Sequence, residues 1–344
     1  MNKLKLLIVE GNTKEENVNF GDAGCVPQSQ NFKKHLRKIE PNSEIDIVEP
    51  IDDNSISKII LSLKKYDGIV LTGSTLRLNE DIKEVKKHIE FAKICFKHEK
   101  KIFGACWGLQ VTVMAAGGKC RVAPNGPHIG IAHDIQLTEA GKKHKIFSTK
   151  PKKFTTPAFN YDEVEIPPKD SILLASDKIN KFQALHFYVG KSEIWGLQYH
   201  PEIPYDYMIK LIKHRSKGMI EKNVFKNQDE INQHIISIEK AKLDLSENER
   251  IIELNLPGVQ TCSGVYSNSI LGTNSTKFVG NINDGEQSCQ CKFGYNPALD
   301  DTLSIALGEP TQVCVQELME TNTTVDPQIP SILLQDLILQ FYLK

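Results

Sequence analysis

The chain has 344 residues, 40% of them hydrophobic and 25% charged, with a formal net charge of −1. That is the make-up of an ordinary soluble globular protein with room for one large or two ordinary domains, and it offers no basic footprint for nucleic acid or a membrane surface. No apolar stretch approaches the roughly 18–20 residues a membrane-spanning helix needs.

The N-terminus, MNKLKLLIVEGN, is a short apolar run ending in acidic and polar residues. It lacks the apolar core and small-residue cleavage site of a signal peptide and reads as the first strand of a cytoplasmic protein. Residues 4–9, 45–48, 68–71 and 102–105 are continuous apolar runs of strand length. Between them, 31–39, 56–65 and 81–97 carry helical patterns. Apolar strands separated by amphipathic helices define an α/β fold, a three-layer sandwich with helices on both faces of a mostly parallel sheet. The connection from Gly11 to Gln28 is long and polar, and long strand-to-helix loops are often functional. A helix is expected over 109–116, ending at Gly117-Gly118. Strands are expected at 119–123, 130–137, 171–175, 183–188 and 194–199, and two closing helices near 204–221 and 227–243. The lysine-rich stretch Lys142–Lys153 reads as a solvated edge.

From about residue 256 the character changes. Residues 257–344 hold three lysines, no arginine and nine acids, a local charge of −6 against +5 for the residues before. A shift this abrupt marks a boundary. The expected division is a domain over 1–254 and a C-terminal segment over 255–344 of unknown function, disordered or foreign in origin. Cys289-Gln-Cys291 with Phe293-Gly294-Tyr295 is weakly similar to an extracellular disulfide module, and Asn274-Ser-Thr and Asn322-Thr-Thr fit the glycosylation-acceptor pattern. Neither fits behind a leaderless domain.

The eight cysteines include no CxxC pair, so zinc-ribbon and thioredoxin-type chemistry has no support, and no metal site or cofactor is expected. Cys95 and Cys120 fit core positions, and Cys25 reads as a surface thiol. His128, His133, His144 and His186 show no ligand spacing and read as structural.

Residues 101–110, KIFGACWGLQ, differ. A strand runs directly into a helix, with Gly104 and Gly108 on either side of Cys106. This is the G-x-C-x-G form of the nucleophile elbow, and its glycines allow a tight turn with backbone passing close by. Such a turn sets the sulfur at a helix N-terminus, where the dipole and free N–H groups favour thiolate. The amide of Trp107 points where a tetrahedral oxyanion would form. A thiolate nucleophile needs a base, and the base an orienting acceptor. Residues 194–202, IWGLQYHPE, end a strand at the sheet edge where open parallel sheets bind ligands. Glu202 can there accept from the imidazole of His200, with Pro201 fixing the backbone between them.

Gly104-Ala-Cys106-Trp-Gly108-Leu-Gln110 with His200-Pro-Glu202 resembles the class I, triad-type glutamine amidotransferase domain, whose sheet is flavodoxin-like. The likeness covers roughly residues 4–254. It includes Asp67-Gly-Ile-Val-Leu-Thr-Gly73-Ser74, similar to the family's oxyanion strand, and Ala115-Ala-Gly117-Gly118. Within the family the chain looks closest to stand-alone amidotransferase halves of GMP synthase and to γ-glutamyl peptidases. The resemblance implies that Cys106 attacks a glutamine carboxamide, that His200 moves the proton, and that Glu202 orients His200. It implies an oxyanion hole from the amides of Trp107 and of Gly73 or Ser74, and substrate contacts from Gln110, Tyr161 and Asp162. There are two departures. Gly73-Ser74-Thr75 replaces the Gly-Gly-Pro run of many relatives, and Tyr161 stands where relatives usually carry histidine, two positions before Glu163-Val164. The substrate need not be plain glutamine.

Three functions are compatible with this pattern. The first is a glutaminase that hydrolyses glutamine through a γ-glutamyl thioester and passes ammonia to a separate synthetase. The tail's TCSGVYSNS lacks the second glycine and aspartate of an ATP-pyrophosphatase loop, so such a synthetase would be another protein. The second is a stand-alone γ-glutamyl hydrolase or peptidase. The third, a non-catalytic regulatory relative, is disfavoured by the complete set of three groups.

Overall fold

The computed structural model describes residues 3–240 apart from 52, 79 and 149, and three short strands beyond them. In chain order the elements are β1 (Lys5–Val9), α1 (Lys14–Asp22), α2 (Gln28–Ile39), β2 (Glu44–Val48), α3 (Asp53–Ser62), β3 (Gly68–Leu71), α4 (Lys83–Lys97), β4 (Lys101–Ala105) and α5 (Trp107–Ala115). There follow β5 (Lys119–Val122), β6 (His128–Ile129), β7 (Ala132–Leu137), α6 (Glu139–Lys143), β8 (Lys153–Thr156), β9 (Phe159–Asn160) and β10 (Asp162–Ile166). Next come β11 (Ile172–Ser176), β12 (Ala184–Val189), β13 (Ser192–Leu197), α7 (Tyr205–Glu221) and a last helix, α8, over 228–240. The later strands Phe278–Val279, Ala298–Leu299 and Gln312–Cys314 pair antiparallel with one another. The cysteine and glycosylation-type motifs of the tail lie outside the described residues.

Nine strands form the central sheet in the order β2-β1-β3-β4-β13-β12-β11-β7-β8. The first five are mutually parallel and the rest add on antiparallel. Each antiparallel step reverses direction, so only β12 and β7 run against the other strands. The sheet is therefore mostly parallel, as its apolar runs predict. In β1, Leu6 and Ile8 join a core cluster on one face with Phe32 and Leu36 of α2, while Leu7 and Val9 join the other with Phe91 and Cys95 of α4 and Leu109 of α5. A strand buried on both faces has no polar alternation to display. Each such side chain contributes about 1.5–3 kcal/mol of burial.

Three local features depart from the sequence reading. The Gly11–Gln28 connection is not an irregular loop: it contains α1, begun by Thr13, whose hydroxyl accepts from the Glu16 amide at 3.1 Å. Phe20 is the one fully buried residue of that helix, so no apolar stripe announces it. Around residues 150–166, β8, β9 and β10 form short pairings where no strand is expected; β10 pairs with β5, and β9 with β6, away from the main sheet. Cys25 is not a surface thiol. It is buried beside Tyr207, and that burial pushes the thiol up to about 11. The helix expected near 227–243 is present over 228–240, with Ile231, Ile235 and Ile238 buried on one face; residues 241–243 lie outside the described part.

Candidate active site

β1, β3, β4 and β13 are neighbours, so their C-terminal ends share one edge of the sheet, and the predicted residues collect there. Cys106 follows β4 with φ 51° and ψ −109°. A non-glycine residue at such a φ stores on the order of 1–3 kcal/mol and persists only where the surroundings over-determine it. Here they do. The Cys106 amide donates to the Leu197 carbonyl at 2.7 Å. Its flanking glycines have no room for a side chain: a Cβ on Gly104 would lie 2.7 Å from the Leu109 nitrogen, and one on Gly108 2.2 Å from the Leu71 oxygen. The sulfur sits at the start of α5, whose dipole and unpaired first-turn amides favour an anion. Besides His200, two groups address it. As a thiol it donates to the Phe159 carbonyl, 3.5 Å away, and the Gln198 Nε2 donates to Sγ at 3.6 Å.

His200 and Glu202 follow β13. His200 Nδ1 lies 2.8 Å from Glu202 Oε1, with the two side chains 3% and 0% exposed. The backbone is fixed on both sides. The His200 amide donates to the Pro157 carbonyl at 2.9 Å, and Asn31 Nδ2 of α2 donates to the Glu202 carbonyl at 2.6 Å. Gly73 makes room for the ring, since a Cβ there would lie 2.6 Å from His200 Cε1. Burial by itself lowers the pKa of His200. The charges of Cys106 and Glu202, and hydrogen bonding to both, outweigh it and raise the group to about 10. With Nδ1 on Glu202, Nε2 is the nitrogen left for the sulfur.

The segment after β3 is held by a buried polar network. The Gly11 amide donates to Thr72 Oγ1 at 2.9 Å, Ser74 Oγ to the Gly11 carbonyl at 2.8 Å, and the Thr75 amide to Asn12 Oδ1 at 3.0 Å. Glu10, whose burial raises its pKa, accepts from the amides of Asn12 and Ser29 at 3.0 and 2.9 Å. One buried carboxylate thus ties the β1 loop to the first turn of α2.

A cavity of about 460 Å³ opens beside Cys106, lined also by Ser74, Trp107, Gln110, Tyr161, Asp162 and His200. Gly73 and Glu202 stand behind this wall, against His200. Gln110 Nε2 is committed to the Asp162 carbonyl at 2.8 Å and Gln198 Oε1 at 3.1 Å, which leaves its Oε1 for a ligand. Asp162 is gripped at both carboxylate oxygens by Arg77, whose guanidinium also lies 5.4 Å from the centre of the Tyr161 ring. The 11–28 connection supplies Glu16, Phe20 and Gln28 to the same cavity.

Gln198, Arg77, Phe159 and Arg215 are site residues that sequence reasoning passed over. Only Gln198 had a signal: it precedes His200 by two positions at the end of a strand, and so shares its side. The structural reading of the histidines holds for His128, buried against Asp177 at 3.1 Å, and for His144, 3.0 Å from His186. Among the described residues no three His, Cys, Asp or Glu side chains are placed to hold a metal ion, and no helix is long and apolar enough to cross a membrane.

The family resemblance carried by the sequence is tested by comparison. Residues 28–207, just over half of the chain, match the class I glutamine amidotransferase family, and the chain belongs to it. It is 30% identical over 269 residues to the gamma-glutamyl-L-1-hydroxyisopropylamide hydrolase of a Pseudomonas species, an alignment covering 76% of this chain and 89% of the relative. It is 30% identical to gamma-glutamyl peptidase 5 of Arabidopsis thaliana over 155 residues, 44% of this chain and 59% of that one. With the glutamine-hydrolysing GMP synthase subunit of Methanococcus maripaludis it shares 26% identity over 178 residues, 52% of this chain and 80% of that protein.

Proposed function

We propose that this chain hydrolyses the side-chain amide of a γ-glutamyl compound through a thioester on Cys106, and that it acts as a stand-alone hydrolase. The observation that carries the reading is the strained Cys106 set at a helix start, opposite the buried His200–Glu202 pair. In the first half-reaction Sγ bonds to the carbonyl carbon of the side-chain amide, and His200 Nε2 gives the leaving nitrogen its proton as that carbon's bond to nitrogen breaks. In the second, water attacks the thioester, His200 takes its proton, and the C–S bond breaks to release glutamate and the thiolate. Glu202 holds the imidazole in the orientation that both steps need. The amide of Trp107, with that of Gly73 or Ser74, stabilises the oxyanion of each tetrahedral intermediate. Gln110 Oε1, Tyr161 and the Arg77–Asp162 pair receive the glutamyl head.

The hydrolase reading is preferred because likeness to a γ-glutamyl amide hydrolase spans nearly that whole relative. A second reading, an ammonia-producing protein that serves a separate synthetase, is favoured by the likeness to part of a GMP synthase. The same three groups serve both, so the partner decides. The test is amine and ammonia release by the isolated chain from glutamine and from a panel of γ-glutamyl amides. Turnover of an amide without a partner supports the hydrolase; silence until a synthetase is added supports the ammonia supplier. In either case Cys106→Ala is expected to abolish release and labelling by a glutamine-like electrophile, and wild-type turnover in that variant would sink the mechanism.

A further inference from the structure

Two chemically different stretches of cavity wall flank Cys106. One is polar and contains Ser74, Gln110 and the Arg77–Asp162 pair. The other lies where α1 and α7 meet and is lined by Phe20, Phe159, Met208, Leu211 and Met219. Phe159 joins this second stretch to the nucleophile: its carbonyl is 3.5 Å from Sγ, while its ring lies 5.7 Å from the guanidinium carbon of Arg215. Arg215 also covers the Phe20 ring at 5.2 Å and is bound to Glu16 of α1. The cation of this stretch is therefore already matched by a carboxylate and spread over two aromatic faces.

A γ-glutamyl amide presents two groups on either side of the carbon that Cys106 attacks. The amino-acid head is a zwitterion and requires polar partners, which Ser74, Gln110 and the Arg77–Asp162 pair offer along the polar stretch. The amine body must then face the apolar stretch. From glutamine that body is a bare nitrogen and touches none of it. From a γ-glutamyl amino acid it brings a carboxylate, for which the stretch has no uncommitted cation beyond exposed Lys222 at its rim.

Resting on the hydrolase reading above, we infer that the wall between α1 and α7 is the leaving-group subsite, and that it takes an uncharged apolar amine. The preferred substrates are γ-glutamyl alkyl- or arylamides rather than glutamine or γ-glutamyl amino acids.

The test is a series on the full-length protein: glutamine, then γ-glutamyl methylamide, ethylamide, isobutylamide and benzylamide, with γ-glutamyl-leucine as the charged counterpart of the isobutylamide. The expected result is a rise in kcat/KM of about four-fold for each methylene buried, with γ-glutamyl-leucine well below the isobutylamide. A filling variant locates the effect. Gly218 lines the cavity on α7, and a Cβ there meets nothing within 4 Å. Gly218→Leu removes nothing from the core and is expected to lower the isobutylamide-to-glutamine ratio of kcat/KM by about tenfold, the scale of steric discrimination in an apolar pocket. A flat series, a preference for γ-glutamyl-leucine, or an unchanged ratio in Gly218→Leu overturns the inference. Calorimetric binding of the same compounds to Cys106→Ala reads the ratio without any chemistry. Preferential binding of the isobutylamide by Cys106→Ala, with no turnover by the wild-type protein, would uphold the subsite and reject the mechanism; wild-type turnover with a flat binding series would do the reverse.

Discussion

Gln198 shows how a single buried amide can serve the proposed nucleophile. Its Nε2 addresses the Cys106 sulfur, its Oε1 accepts from Gln110, and its backbone amide donates to the Gln183 carbonyl at 2.8 Å. The side chain therefore has one orientation, with the N–H toward the sulfur. A donor held in that way stabilises thiolate over thiol. Gln198→Leu removes it, and alkylation of Cys106 by iodoacetamide near neutral pH is expected to slow by about tenfold, the worth of one hydrogen bond to a charged group. Activity at saturating substrate should fall with it; an unchanged alkylation rate would assign Gln198 to packing alone. Glu202 acts on the other partner. His200 is raised from the ordinary 6.5 to about 10, so the stabilisation its imidazolium gives the fold is complete below 6.5 and is lost as pH rises through about 10. Glu202→Gln removes one of the charges that raise it. The variant should therefore gain less stability from the imidazolium at low pH, and that smaller gain should be used up at lower pH than in the wild type. Urea midpoints at about pH 6 and about pH 9 check this, with the narrower gap expected in the variant.

The elements that position these residues were legible in proportion to how local their causes are. β1, β3 and β4 read directly because a strand buried on both faces is a continuous apolar run. The elbow read because its glycines mark close approach of backbone, and the structure shows what approaches: Gly104 pairs with Gly196 of β13 on one side and Leu71 of β3 on the other. α1 did not read, because it buries only Phe20 completely and lies against α7 rather than the sheet. β9 and β10 did not read because they are short and pair outside the main sheet. Arg77 and Arg215 were silent for a further reason. Their partners, Asp162 and Glu16, are 85 and 199 residues away in the chain, and no local pattern encodes such a distance. The proposed nucleophile, its base and the base's orienter thus stand in local motifs, whereas the wall proposed to select the amine required the assembled helices.

Across the molecule, the change of composition near residue 256 is proposed to mark the end of the folded amidotransferase domain. α8 belongs inside that limit. Ile238 and Ile212 of α7 would both lie 2.7 Å from a Cβ on Gly130, so α7 and α8 converge over that turn. A chain ending after residue 256 is expected to keep the thermal midpoint and amide turnover of the full protein. One ending after residue 226 loses three buried isoleucines and should be less stable by several kcal/mol, at about 2 kcal/mol for each buried side chain. Parallel thermal melts and activity assays of the two truncations check both. The same long-range construction bears on how the protein is made. Cys106 takes its backbone hydrogen bond from Leu197 of β13 and its amide donor from Gln198 just after it, 92 residues later in the chain, and its proposed base lies beyond that. A growing chain on the ribosome carries this cysteine well before anything that can activate it. Until synthesis has passed Glu202 the thiol is expected to have only the reactivity of an ordinary exposed cysteine, so during refolding labelling by a glutamine-like electrophile is expected to report the end of folding rather than the beginning.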